Sequence, residues 1–260
     1  MTAEGYKNGP VILLSYAHSG ASEVQDLLAA DTGLVCTSGT GILPLCAAAA
    51  ETWRRVEGRD APTMSRLAVA SISGLLTPQI TMILSAAGGK RWCELATAEP
   101  STAQQFLEIF PHAVFVCIHR NCLDMIRAGV AASPWGLYGQ GIGQYLISYP
   151  GNSVAALAAY WANCTDELLA LEDAHPQITH RLRYEDAAVE PCCALPALKE
   201  WLRLGGGRDA TFAEKLSPVE PSGGAVSSLE ADVPVEIIPQ PLRRRISSLH
   251  TTLGYAPLPG

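Results

Sequence analysis

The sequence predicts an α/β fold, a three-layer domain with a central parallel sheet flanked by helices. Short apolar runs of strand length recur along the chain, at residues 11–15, 92–95, 113–118 and 178–182. A turn and a segment of helical periodicity follow each run, the alternation that builds a parallel sheet with right-handed crossovers. Composition agrees. Of the 260 residues 48% are hydrophobic and 17% charged, ample for one large core and too few charges for a disordered chain. The expected organisation is a single domain over residues 1–260, with no internal repeat.

The first unit is the most informative. Val11-Ile12-Leu13-Leu14 reads as a buried parallel strand. Residues 15–22 are small and polar, with Gly20 among them, and from Ala21 onward Val24, Leu27 and Leu28 recur at helical spacing behind Glu23 and Asp26. Strand, tight turn and helix start together form an anion site, because free amides point into the turn and the helix dipole favours negative charge. A Walker loop needs two glycines and a lysine before Ser or Thr, and this turn has one glycine and no lysine. By itself it is equally an ordinary strand-to-helix connection.

Residues 32–41 are rich in Gly, Ser and Thr and read as a loop, followed by an alanine-rich helix at 42–56. Residues 65–87 read as one or two helices interrupted at Pro78, and Gly88-Gly89 breaks the chain before the second apolar strand. A helix at 101–110 closes at Pro111, the Val/Phe/Ile-rich strand at 113–118 follows, and a helix takes up 122–132. Residues 133–151 hold five glycines, two prolines, Trp135 and three tyrosines, the composition of a long functional loop. A strong helix at 153–174 starts behind Asn152 or Ser153, the strand at 178–182 follows, and shorter helices are expected at 195–204 and 241–253, the last capped by Gly254.

Charge and cysteine usage exclude several classes. The net charge is −7, and Arg243-Arg244-Arg245, the one basic cluster, fits the solvated face of the last helix, so no nucleic-acid partner is expected. No uninterrupted apolar stretch reaches about 18 residues, and the N-terminus lacks the pattern of a signal peptide, so the expectation is a cytoplasmic chain with no membrane span. The eight cysteines include no Cys-x-x-Cys pair, which points to buried thiols in a reducing compartment and to no metal site.

Two further stretches, FPHAVFVCIHRNCLDMIRAGV at 110–130 and HRLRYED at 180–186, carry a resemblance. A strand with a small-residue turn, then a strand ending in Arg-Asn-x-x-Asp, then Arg-Tyr-Glu-Asp, in that order, resembles the sulfotransferase family that uses 3′-phosphoadenosine 5′-phosphosulfate. Arg91-Trp92-Cys93-Glu94, residues 133–137 (SPWGL), Ala159-Tyr160-Trp161 and the ending LGYAPL at 253–258 are similar to a bacterial branch of that family. The resemblance covers nearly the whole chain and implies a P-loop-like sulfotransferase fold.

It also implies a site. The family turn reads Pro-Lys-Ser-Gly-Thr-Thr or Pro-Arg-Ser-Gly-Ser-Thr, and Ala17-His18-Ser19-Gly20-Ala21-Ser22 stands there in this chain. His18, Ser19, Gly20, Ala21 and Ser22 would therefore wrap the donor's 5′-phosphosulfate, with His18 in place of the cation and charged only if the anion raises its pKa. His18 also reads as a turn histidine at the surface. Arg120 would contact the 3′-phosphate. Asp124 would pin the turn, Tyr184 would meet the adenine, and Glu185 and Asp186 would cap the turn that follows. Tyr184 also reads as a core tyrosine with a bonded hydroxyl. Glu94 is the first choice for the base that takes the acceptor's proton and His18 the second. Glu94 could equally be a structural carboxylate. Trp135 and Tyr138 would wall the acceptor pocket and suit a small hydrophobic or aromatic alcohol.

Several positions depart from the family pattern. Ala21 stands for a hydroxyl, Ala128 for a serine and Leu95 for a lysine, and the acidic stretch at 227–232, with Glu230, occupies the place of a glycine- and arginine-rich loop. Two readings stay open: a sulfotransferase acting on a small natural-product hydroxyl, and a sulfotransferase-type fold that has lost the donor and binds or transforms something else in the acceptor pocket. A nucleotide-kinase-like P-loop enzyme is disfavoured by the missing Gly-Lys-Ser/Thr.

Overall fold

The structure is a computed structural model; it describes residues 9–30, 33–58, 63–86, 88, 90–97, 100–132, 141–189, 191–204 and 233–258. Five strands form one parallel sheet: β1 (Val11–Ser15), β2 (Leu34–Ser38), β3 (Arg91–Thr97), β4 (Val114–His119) and β5 (Thr179–Arg183). Their order is β2-β3-β1-β4-β5. β1 and β4 lie inside the sheet and are buried along their whole length, which is why their sequences are continuous apolar runs and not alternating ones. The order reverses direction after β1, so its turn opens at a topological switch point, the crevice where α/β sheets bind ligands.

The helices are α1 (Ala21–Ala29), α2 (Ile42–Glu57), α3 (Arg66–Ala86), α4 (Pro100–Ile109), α5 (Cys122–Ala131), α6 (Gly143–Ser148), α7 (Ser153–Ala174), α8 (Tyr184–Val189), α9 (Pro191–Leu202) and α10 (Gln240–Leu253). All four strands expected from the sequence form, within a residue or two of the expected ends. Residues 32–41 are corrected: the loop contains β2, paired to β3 in register from Leu34↔Arg91 to Ser38↔Leu95. As an edge strand it is half-buried after Leu34, so its Thr and Ser face partial solvent and weaken the apolar signal.

α3 is also a correction, because it runs unbroken through Pro78. Pro78 and Gly74, four residues before it, are both exposed, so water can reach the carbonyl that loses its amide partner. Among the described residues α3 is the one helix long and apolar enough to cross a membrane by length and composition. Its Ala68, Ile72, Leu76 and Ile80 are buried in the core. α6 forms within the stretch read as a long loop, and α9 begins earlier than expected. Trp135, Tyr138 and residues 205–232 lie outside the described residues.

Candidate functional site

The turn between β1 and α1 is held at both ends by tyrosines. The Ala17 amide donates to the Tyr160 hydroxyl at 3.0 Å, and Ser19 N donates to Tyr16 O at 3.2 Å. The Tyr16 hydroxyl accepts from Arg120 N at 2.7 Å and donates to Arg120 O at 3.0 Å, stitching the turn to the end of β4. Trp161 Nε1 donates to the same carbonyl at 2.8 Å. Burial pushes both phenols well above their ordinary range, so they act as neutral hydrogen-bonding groups. Gly20 is the N-cap of α1 with φ 78, and no side chain caps the helix. Its first amides are therefore left for solvent or an anion.

Arg120 and Tyr184 complete the cradle. The Arg120 guanidinium lies 4.5 Å from the Tyr184 ring centroid, and its Nη1 donates to His18 O at 2.9 Å. Tyr184 in turn covers Gly20: a Cβ on that glycine would fall 2.2 Å from Tyr184 Cε2. Glycine serves twice here, for the positive φ and for the close approach of the ring. Burial raises the Tyr184 phenol and the Arg120 charge opposes that rise. Two polar atoms stand out. Ser19 Oγ, on a residue 1% exposed, and Arg120 Nε are buried with no hydrogen-bond partner among the described residues. Buried polar groups are rarely left so, and both belong to the strand-to-helix turn and the β4 end that converge at the switch point.

The structure brings together His18, Ser19, Gly20, Arg120 and Tyr184, with Ala21 and Ser22 opening α1. His18 has φ 62, and its ring packs toward α5: a Cβ on Gly129 would lie 3.2 Å from His18 Cδ2 and 3.0 Å from both Leu157 methyls. Gly129 thus makes room for the histidine, a role the sequence reading did not assign. Glu94 sits apart from the cradle. It pairs with Ile12, three rungs before the Ser15↔Thr97 pair at the mouth of the turn, a distance of about 10 Å along the strand. The residue is 3% exposed and its carboxylate is occupied. Oε1 accepts from Thr40 N at 3.1 Å and Thr40 Oγ1 at 2.7 Å, and Oε2 accepts from Thr37 Oγ1. Trp92 Nε1 donates to Thr37 Oγ1 at 2.7 Å. Glu94 therefore holds the β2–α2 connection from below, and Thr40, exposed at the surface, lies between it and solvent.

Two supporting residues act differently from expectation. Asp124 does not pin the turn; it pairs with Arg127 one helical turn on, at 2.5 Å. Glu185 reaches a different connection from the one that follows it: it accepts from Asn121 N at 2.8 Å and from the Tyr255 hydroxyl at 2.7 Å, tying β4–α5 to the chain end. Asp186 pairs with Arg183 at 3.7 Å. Asn121 caps α5 by accepting from Leu123 N at 2.9 Å. Beneath the site, His119 Nε2 lies 2.8 Å from Glu172, which also takes Arg181 Nε at 2.6 Å. Burial would raise the Glu172 carboxyl, but these two partners outweigh it and hold the group below its usual range. His250 accepts from Cys122 N through Nε2 at 3.3 Å and donates from Nδ1 to Ala256 O at 2.8 Å. That pairing needs the neutral ring, and burial lowers its pKa. Among the described residues no group of three or more His, Cys, Asp or Glu could hold a metal ion.

Solved structures of the same shape include the sulfotransferase domain from the curacin biosynthetic pathway, with TM-score 0.62 and 18% identity, covering 96% of this chain and 99% of that one. The sulfotransferase domain from the Synechococcus PCC 7002 olefin synthase matches with TM-score 0.58 and 15% identity over 96% of each chain. A Mycobacterium avium sulfotransferase, STF9, matches with TM-score 0.57 and 14% identity over 95% of this chain and 77% of that one. At such identities the likeness establishes the fold. No curated protein matches the chain. The profile of the sulfotransferase family matches residues 10–205, which span the turn, Glu94, Arg120 and Tyr184. The chain belongs to the sulfotransferase family.

Proposed function

We propose that the protein transfers a sulfuryl group from 3′-phosphoadenosine 5′-phosphosulfate to a hydroxyl of a small natural-product acceptor. The observation that carries this reading is the pair of buried, unpartnered polar atoms, Ser19 Oγ and Arg120 Nε, beside an uncapped helix start. An anionic nucleotide satisfies all three at once. The bound donor supplies the sulfuryl group and a phosphate leaving group. The amides of α1, Ser19 Oγ and the His18 ring hold the 5′ end, Arg120 holds the 3′-phosphate and Tyr184 stacks on the adenine. Two of the structural neighbours are by name domains of a biosynthetic pathway and of a synthase, which favours a metabolite acceptor.

Glu94 reaches the acceptor through Thr40. The Thr40 hydroxyl donates to Glu94 at 2.7 Å and can accept the acceptor's proton as its own passes to the carboxylate. A buried carboxylate is thereby linked to the surface without touching the acceptor. The competing reading, a fold that has lost the donor, draws on His18: the ring packs on Gly129 and takes the place of the cation the family carries.

The test is an assay of 3′,5′-adenosine bisphosphate release from the donor, run with panels of phenolic and aliphatic alcohols. Acceptor-dependent release that falls in Ser19→Ala and Arg120→Ala supports the reading. Release that ignores both substitutions contradicts it.

A further inference from the structure

Cys36 and Cys93 form a pair that the proposed reaction does not use. They are register partners on adjacent parallel strands β2 and β3, so their side chains leave the same face of the sheet. The two thiols share a hydrogen bond. Neighbouring strands lie about 4.8 Å apart, inside the Cα separation of about 4.4–6.8 Å that a disulfide spans. Their surroundings differ: Cys93 is wholly buried, whereas Cys36 lies on the edge strand and is half-buried, within reach of a small oxidant. The other described cysteines are deeply buried at 46, 117, 122 and 164 or exposed at 193, and among them no two are register partners.

We propose that Cys36 and Cys93 are a redox-sensitive dithiol that a hydroperoxide converts to a disulfide across β2 and β3. The Cys36 thiolate attacks the terminal peroxide oxygen, the O–O bond breaks, and Cys36 becomes a sulfenic acid as the alcohol or water departs. Cys93 sulfur then attacks the Cys36 sulfur, the S–O bond breaks, and the hydroxide leaves with the Cys93 proton as water. In sum, two thiols and one hydroperoxide give one disulfide, one water and one alcohol or second water. The burial of Cys93 suits it to this second role: buried in the sheet it stays a thiol until its neighbour is oxidised.

The pair sits one rung before the site's hydroxyl network, on the opposite face of the sheet. Thr37 and Glu94, the next residues on the two strands, are themselves register partners and hydrogen-bonded. Gln25 of α1 donates to Thr37 O at 2.7 Å. A bond between Cys36 and Cys93 would therefore tether the edge strand that carries the β2–α2 connection, next to the helix that opens the anion site.

The test treats the purified full chain with hydrogen peroxide under non-denaturing conditions. Thiol titration, intact mass and non-reducing peptide mapping follow. The expected result is the loss of two of the eight thiols and of two hydrogens in mass, with a cross-linked peptide joining Cys36 to Cys93, reversed by dithiothreitol. Cys36→Ser, at the half-buried position, should abolish the cross-link and leave secondary structure unchanged; Cys93→Ala gives a second, independent loss. Oxygen addition without a cross-link, a cross-link between other cysteines, or an undiminished mass loss in Cys36→Ser would overturn the proposal. None of these readouts depends on sulfotransfer.

Discussion

Replacing Arg120 perturbs the site at the point where its parts meet. The guanidinium holds His18 O at 2.9 Å, stacks 4.5 Å over Tyr184 and carries the buried Nε with no partner. If the donor binds as proposed, Arg120→Ala removes one charge-assisted bond to a phosphate, worth about 1.5–3 kcal/mol, so the Kd for 3′,5′-adenosine bisphosphate should rise by about tenfold to a hundredfold. It also removes the bond to His18 O and the ring stack, about 1 kcal/mol and about 0.5–1 kcal/mol. Together these lower Tm by about 3–8 °C in a chain of this size. Arg120→Lys keeps the charge but loses the planar stack and the fork of donors, and should fall between wild type and Arg120→Ala in affinity. Calorimetric titration well below both melting points, with circular dichroism as the control for folding, reads the two effects separately. Unchanged affinity in a folded Arg120→Ala protein would remove Arg120 from the nucleotide site.

Other outcomes are equally specific. Thr40→Val should lower kcat with little change in donor affinity, and Thr40→Ser should restore it, because the side-chain hydroxyl is the group that can pass a proton from the surface to Glu94; equal kcat in all three proteins would limit Thr40 to a role in the loop. Gly20→Ala should lower Tm and weaken nucleotide binding together, since the added carbon lands on Tyr184 and meets a positive φ; a melting point at the wild-type value would contradict that packing. Burial lowers the pKa of both His250 and His180, so the folded state binds fewer protons than the unfolded one. Their contribution to stability is complete above about pH 6.5 and is lost as pH falls through the lowered folded values, because the unfolded rings protonate first. Tm should therefore drop on acidification from neutrality, and His250→Gln should flatten that drop; an identical pH profile in the variant would exclude His250 as a source.

The parts of this molecule that were legible in the sequence share a physical origin. β1 and β4 are buried on both faces and spell unbroken apolar runs, and α7 carries its Asn152 cap in plain sight. β2 was not legible, because an edge strand half open to solvent can carry Cys-Thr-Ser and looks like a loop. Pro78 misled because a proline stops a helix reliably only where the lost hydrogen bond is buried. In the site, the sequence order of Ser19, Arg120 and Tyr184 was informative. What joins them was not: the Tyr16 hydroxyl binds both backbone atoms of Arg120 across 104 residues, and no local pattern announces such a contact. Glu94 shows the same limit. Its residue type suited a base, and only the register with Ile12 and the two threonines revealed how deep it lies.

We propose that the cradle of Ser19, Arg120 and Tyr184 at the start of α1 binds the nucleotide of the sulfate donor. Calorimetric titration of the full chain with 3′,5′-adenosine bisphosphate, repeated on either side of neutral pH and with His18→Lys, is the decisive test. Saturable binding at one site per chain is expected, weakening as pH rises, since the bound anion favours the charged imidazole. In His18→Lys the binding should be tighter and flat with pH. Absence of saturable binding by wild type at millimolar nucleotide, on both sides of neutrality, would contradict it.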